Sequence, residues 1–370
     1  MDRHPSADRT PASPPPAGGE RILLVRLSAI GDVLQCLHAL AALRAARPGA
    51  SIHWLVEDRC ASILQGHPHL DGVVVFARSA FRREVRRPWL WPAAIARILR
   101  LRRELRALRP TVSVELQGNL KGALLARLAG APRRIGLAPG QGGKEKSHRF
   151  ATEHVRLPAP PVHRADRARA LLAPLGVGAA APPPEVAGVA AAGPWAEESL
   201  RALGLKPGRY AVFHPGVSGF GDFKRWPPER YADLARRLRD DRGLPVLLTA
   251  GPGEEALADE VAAASGGAAR RAPPTRSLAE LGALLARAAV VVGADTGPVH
   301  LAAVLGVPTV ALFGPKDPAV YAPKGRGVRV VWKQVWCSPC RLRRCGDPVC
   351  MTAMRLDEVL PAVEAALGGS

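Results

Sequence analysis

Aromatic residues, acidic residues and long apolar runs are all in short supply in this 370-residue chain, and each shortage removes a class of protein. Aromatics make up 5% of the residues against 47% hydrophobic overall, so Ala, Leu and Val have to fill the interior. No apolar run reaches the roughly 18 residues of a membrane-spanning helix, and that reading is excluded. The tail over 1–19 is polar and Pro-rich, without the apolar stretch of a secretory signal. It reads as disordered. With no export information the expected compartment is the cytoplasm, where the six cysteines stay reduced. Missing too is a GxGxxG fingerprint after the first strand, which argues against an ordinary dinucleotide oxidoreductase.

The shortage of acids is the most informative. Asp and Glu number 32 against 52 Lys and Arg, a formal charge of +20. A composition rich in Ala, Arg, Gly and Pro deprives any single Arg of meaning, but it need not unbalance the two signs. The excess points to a polyanionic partner: nucleic acid, an acidic membrane surface or a phosphorylated substrate.

The length suits two domains, each with its own core. Arg21 to Leu27 reads as a strand, Asp32 to Ala46 as apolar-periodic, and Ser51 to Val56 as the next strand, which makes a βαβ unit. Gly72 to Phe76 and Thr111 to Leu116 are further strands, the latter followed by a helix from about Lys121 to Ala129. Charge density drops between Leu175 and Ala196, where Ala, Gly and Pro take over as a linker or a loosely ordered crossover. A second alternation follows. Tyr210 to Phe213, Pro245 to Thr249, Val290 to Val292 and Thr309 to Phe313 are strands among helices over Pro228 to Arg239, Glu254 to Ala264 and Leu278 to Ala286. The fold class is therefore α/β, two Rossmann-like domains with parallel sheets: 20–176, a linker over 177–196, and 197–370. Ligands in such sheets bind beyond the carboxyl ends of strands, so the informative residues lie just after strands.

Val290 to Pro315 (VVVGADTGPVHLAAVLGVPTVALFGP) is a strand, a turn, a helix and a strand. Thr296 or Gly297 caps the helix, Pro298 occupies its first turn, and free N–H groups there suit a phosphate. His300, in the same turn, can aim a donor at that anion. Asp295 and Thr296 as mere helix caps are the competing interpretation. His214 to Pro227 (HPGVSGFGDFKRWP) follows another strand; its glycines let backbone approach a ligand, Ser218 can donate to an oxygen, and Lys224 can serve as a point charge on a diphosphate. An ordinary surface loop would look the same in isolation. Ala250 to Glu255 (AGPGEE) carries acids that either hold ribose hydroxyls or sit at a helix start.

In the first half, Arg26 to Val33 (RLSAIGDV) places Ser28, Gly31 and Asp32 beyond the first strand. Asp32 is either a helix N-cap or a general base within reach of an acceptor hydroxyl. Arg78 to Arg109 holds eleven arginines with Trp89 and Trp91. Ala94, Ile98, Leu101, Leu105 and Leu108 recur about every 3.5 residues, the stripe of a helix packed on a sheet. The arginines and tryptophans ahead of them suit an anionic membrane or a phospholipid-like acceptor. No nucleic-acid-binding motif accompanies the charge, so nucleic acid is not expected. Cys337, Cys340, Cys345 and Cys350, spaced CxxC-x4-C-x4-C, suit a structural zinc or are simply reduced thiols.

Taken in order, RLSAIGDV, ELQGNLKGALLARL (Glu115 to Leu128), HPGVSGFGDFKRWP and GADTGPVHLAAVLGVPTVALFGP resemble the ADP-heptose:lipopolysaccharide heptosyltransferases of glycosyltransferase family nine, from about Arg21 to Leu367. The resemblance implies a GT-B fold with an N-terminal acceptor domain and a C-terminal donor domain facing across a cleft, and a final helix that returns to the first. It places the catalytic aspartate on Asp32 and the donor-binding positions on Ser218, Lys224, Glu254, Asp295, Thr296, Gly297 and His300. Acceptor contacts fall on Arg26, Ser28, Gln117 and Lys121. An anion at Asp295 helps a diphosphate site only by orienting neighbouring donors or by binding elsewhere on the sugar nucleotide. The implied chemistry is metal-independent inverting transfer of heptose from ADP-heptose to a phosphorylated glycolipid, with no required cofactor, at the cytoplasmic face of the inner membrane. Two other readings stay open: a relative using another nucleotide sugar or acceptor, and a basic, non-enzymatic binder of nucleic acid or membrane.

Overall fold

A computed structural model of the protein describes residues 19–160, 162–178, 182–217, 221–340, 342 and 344–368. Contacts gather them into two units. The first comprises the described part of Met1–Arg26, with Arg47–Asp58 and Pro68–Val155; the second comprises Leu27–Ala46, Arg59–His67 and the described part of Arg156–Ser370.

The first unit holds a six-stranded sheet of β1 (Arg21–Val25), β2 (Ser51–Glu57), β3 (Gly72–Phe76), β4 (Val112–Glu115), β5 (Arg133–Leu137) and β6 (Glu153–Val155). Its order is β3-β2-β1-β4-β5-β6, every pair parallel. Val25 at the end of β1 pairs in register with Leu55 and with Glu115. Central strands covered on both faces need apolar runs, and Ile22 to Val25 are buried without alternation.

The second unit repeats the pattern with β7 (Ala211–His214), β8 (Val246–Leu248), β9 (Ala269–Arg271), β10 (Val290–Ala294), β11 (Thr309–Phe313) and β12 (Val328–Trp332). The order is β12-β11-β10-β7-β8-β9, again parallel throughout. In both sheets the first and fourth strands lie side by side, which is the switch point where doubly wound folds bind ligands. β7, β10 and β11 are buried along their whole length.

The helix Leu356–Gly368, expected to return to the first half, is built into the second unit's core through Val359, Val363 and Ala366. Met351 and Met354 belong to the same cluster and supply its apolar partners. Trp226 is fully buried there too; its Nε1–H donates to Met354 O at 2.9 Å and its ring meets Tyr231 edge-on at 4.8 Å. Lys224, two residues earlier, is thereby held beside the sheet.

Candidate active site

Three loops leave the carboxyl ends of the adjacent strands β8, β7 and β10, and their polar side chains meet. His214 ends β7 and is buried; its Nδ1 lies 3.0 Å from Thr249 Oγ1 and its Nε2 3.6 Å from Glu254 Oε2. Burial pushes the imidazole down to about 4, so at neutral pH this contact joins a neutral ring to a carboxylate. Glu254 folds inward and accepts from Gly251 N at 2.8 Å. A Cβ on Gly216 would collide with its carboxylate, and one on Gly251 would lie 2.8 Å from Oε2. A Cβ at either position would displace that carboxylate, so the acid expected at the ribose sits against the loop after β7.

Beyond β10, Lys224 Nζ donates to Asp295 Oδ2 at 2.5 Å, and His300 Nε2 lies 3.1 Å from Asp295 Oδ1. Burial alone would raise the Asp295 pKa; the hydrogen bond from His300 and the charge of Lys224 outweigh it and hold the carboxyl well below its ordinary value of 3.8. The anion therefore orients two donors. Thr296 is the N-cap of the helix Gly297–Val304, but no side chain caps that helix, because the Thr296 hydroxyl donates to Ala294 O at 3.1 Å instead. A helix start with no side-chain cap, next to an ammonium, has the donors and the charge to bind an anion. Ser218 lies outside the described residues.

Asp32 comes into the same neighbourhood. It is the third residue of the helix Ile30–Ala46, not its cap, and its Oδ2 accepts from Ala29 N at 3.3 Å, the returning half of a capping box. Its Oδ1 accepts from Arg164 Nη1. One turn on, Gln35 Nε2 donates to His300 Nδ1 at 3.3 Å and faces Tyr321 O at the same distance. Because Nδ1 accepts, Nε2 carries the proton toward Asp295, which fixes the tautomer. Both ring nitrogens of His300 are engaged, so its influence on a phosphate passes through Asp295 and Lys224. A Cβ on Gly31 would stand 2.7 Å from His300 Cδ2, and one on Gly297 2.9 Å from Ile30 Cγ2. Only glycine lets the two helix starts abut.

The acceptor residues expected in the first half have partners of their own. Arg26 is buried, and its Nη1 donates to Leu116 O at 3.1 Å, tying the end of β1 to the end of β4. Ser28 is buried in the segment assigned to the second unit. Gln117 N donates to Glu115 Oε1 at 2.9 Å. Lys121 Nζ donates at 2.5 Å to Glu57, a fully buried carboxylate that also takes Arg78 at 3.0 Å. Beside this pair lies a cavity of about 740 Å³ with Phe76, Phe81, Ile98, Leu125 and Leu128 among its walls. Arg82, Arg86, Arg102, Arg106 and Arg127 also line it, and none of the five has an ion-pair partner among the described residues. Trp89 and Trp91 are 73% and 55% exposed.

The zinc expectation is not supported. Among the described residues no three His, Cys, Asp or Glu side chains gather as a metal-holding group. Cys337 and Cys345 are exposed while Cys350 is buried, and burial pushes the Cys350 thiol up to about 11, away from thiolate. Arg164, Gln35, Glu57 and Tyr321 were not singled out in the sequence. Gln35 carried a usable signal, three residues after Asp32 on one helix face; Arg164 carried none among so many arginines.

Comparison with solved structures places the fold. A glycosyl transferase family 9 structure from Veillonella parvula DSM 2008 superposes with a TM-score of 0.77 at 23% identity, covering 95% of this chain and 98% of that one. The E. coli heptosyltransferase WaaC with ADP gives 0.74 at 27% identity, covering 94% and 99%. Twin parallel six-stranded sheets of this order make the fold GT-B, that of these glycosyltransferase structures. Among sequences, lipopolysaccharide heptosyltransferase 1 of Pseudomonas aeruginosa is 30% identical over 94% of this chain and 98% of its own length. The enzyme of the same name from Escherichia coli K12 is 32% identical over 84% and 92%. The profile of glycosyltransferase family 9 (heptosyltransferase) matches residues 98–348, and the chain belongs to that family.

Proposed function

We propose that this heptosyltransferase moves a heptose from ADP-heptose to the inner core of lipopolysaccharide by a single inverting displacement. The observation that carries the donor half is the helix start at Thr296–Gly297, free of any side-chain cap, beside the Lys224–Asp295–His300 chain. Lys224 and the helix N–H groups stabilise the charge that grows on the departing diphosphate, and Glu254 holds the ribose. Asp32 takes the proton of the acceptor hydroxyl as its oxygen bonds to the anomeric carbon. These residues supply the leaving-group stabilisation themselves, so the proposed transfer takes no cofactor. The names of the relatives support the donor and acceptor chosen: lipopolysaccharide heptosyltransferase 1 is the curated relative, and a WaaC structure holds ADP-2-deoxy-2-fluoro heptose.

The acceptor half rests on the first unit. Arg26, Ser28, Gln117 and Lys121 are its proposed contacts. The apolar, arginine-lined cavity with exposed Trp89 and Trp91 favours an amphiphilic, phosphorylated glycolipid at an anionic surface, which is the cytoplasmic face of the inner membrane. No helix among the described residues is long and apolar enough to cross a membrane. The test is kinetic. Lys224→Ala should lower kcat by roughly 10²-fold or more, as removal of a donor aimed at developing charge does, and Asp32→Asn should abolish transfer. Near wild-type rates in both folded variants would remove these roles.

A further inference from the structure

Asp32 is not free to act as a base in this structure. Arg164, the first residue of the helix Arg164–Leu172, donates through Nη1 to Asp32 Oδ1, and Ala29 N holds the other oxygen. The guanidinium carbon lies 4.6 Å over the Tyr321 ring centroid, so the ring as well as the carboxylate attracts it. The nearest acid on its own helix does not compete for it, because Asp166 is taken by Lys324 at 2.6 Å and Arg169 at 3.0 Å. The pair is nonetheless reachable: the Arg164 side chain is 34% exposed and that of Asp32 21%.

A carboxylate oxygen bonded to a guanidinium is a poorer proton acceptor than a free one, and a general base works best when its oxygen can reach the proton it takes. A guanidinium also exchanges a single carboxylate contact readily for a phosphate, which it binds through two parallel N–H groups. We propose that Arg164 is a specificity-determining residue: it holds Asp32 out of use until a phosphate group on the acceptor takes the guanidinium. Asp32 then accepts the proton of the acceptor hydroxyl, the hydroxyl oxygen bonds to the anomeric carbon, and the bond to the diphosphate breaks with its electron pair leaving on ADP. Water brings no phosphate. In its presence alone Asp32 stays paired and the donor is spared from hydrolysis, in which water would lose its proton to Asp32 and ADP would leave in the same way.

The inference rests on the base role proposed for Asp32, and one set of assays separates the two. ADP release from ADP-heptose without acceptor should be slow in wild type and in Arg164→Lys, and faster in Arg164→Ala by roughly threefold to tenfold, the gain from a base restored to ordinary strength. With acceptor present, Arg164→Ala should raise KM for the phosphorylated acceptor while leaving KM for the same acceptor stripped of phosphate unchanged. Asp32→Asn should release no ADP in either condition; if it transfers at the wild-type rate, the base and the gate fall together. If Asp32→Asn is inactive but Arg164→Ala releases ADP no faster than wild type, the gate alone is overturned. Should Arg164→Ala fail to fold, Arg164→Gln, which keeps the chain and removes the charge, carries the same expectation.

Discussion

Lys224 and Asp295 neutralise one another at 2.5 Å, with both side chains largely covered. A diphosphate at the helix start would add negative charge beside an acid already held ionised, so the proposed site depends on Lys224, which Asp295 orients, to meet that charge. His214 shows the opposite balance. Burial holds its folded pKa down to about 4 against an ordinary 6.5, so as pH falls below 6.5 the unfolded chain takes the proton first. The stability His214 contributes is complete above 6.5 and is lost as pH drops toward 4, by about 3 kcal/mol at most. Urea midpoints at pH 7.5 and 4.5 should therefore differ more for wild type than for His214→Gln. An equal drop in both would show that the ring is solvated in solution.

Among the elements, the two helix starts at Ile30 and Gly297 decide the site, and glycine decides their approach. Gly31→Ala should push the His300 ring from Gln35 and Asp295 and lower kcat by roughly tenfold or more, as small misplacements of a reacting centre do. Gly49→Ala, where nothing lies within 4 Å, should change neither kcat nor melting temperature. Equal losses in both variants would mean that glycine flexibility, not contact, is at stake. The sequence made the buried strands legible because each is a short apolar run ended by a turn, as in LLV of β1 or VVV of β10. The edge strands β6, β9 and β12 were not among the expected strands, since an exposed face leaves them reading as EHV, ARR and VRVVW, and neither was the interior β5, whose RRIGL opens on two arginines. The loops after β7 and β10 announced themselves by glycine and proline. The clasp on Asp32 did not: Arg164 lies 132 residues away in sequence, and only the packing of two helices brings the pair together.

On the scale of the whole molecule, the charge of +20 finds an outlet in the unpaired arginines around the first unit's cavity and in the exposed tryptophans beside it. Binding to vesicles that contain anionic phospholipid should be strong at low salt and should weaken as salt rises. Arg82→Glu with Arg86→Glu should cost about 1 kcal/mol for each positive charge removed, with neutral vesicles hardly bound in any case. Vesicle binding insensitive to salt and to these changes would assign the charge another partner. The most direct measurement of the central claim is product formation from ADP-heptose and heptose-free lipopolysaccharide, with and without a chelator. The expected result is one heptose transferred per ADP released, with inverted anomeric configuration, at a rate the chelator leaves unchanged and Lys224→Ala lowers. No product with any core acceptor, alongside turnover of a different nucleotide sugar, would contradict it.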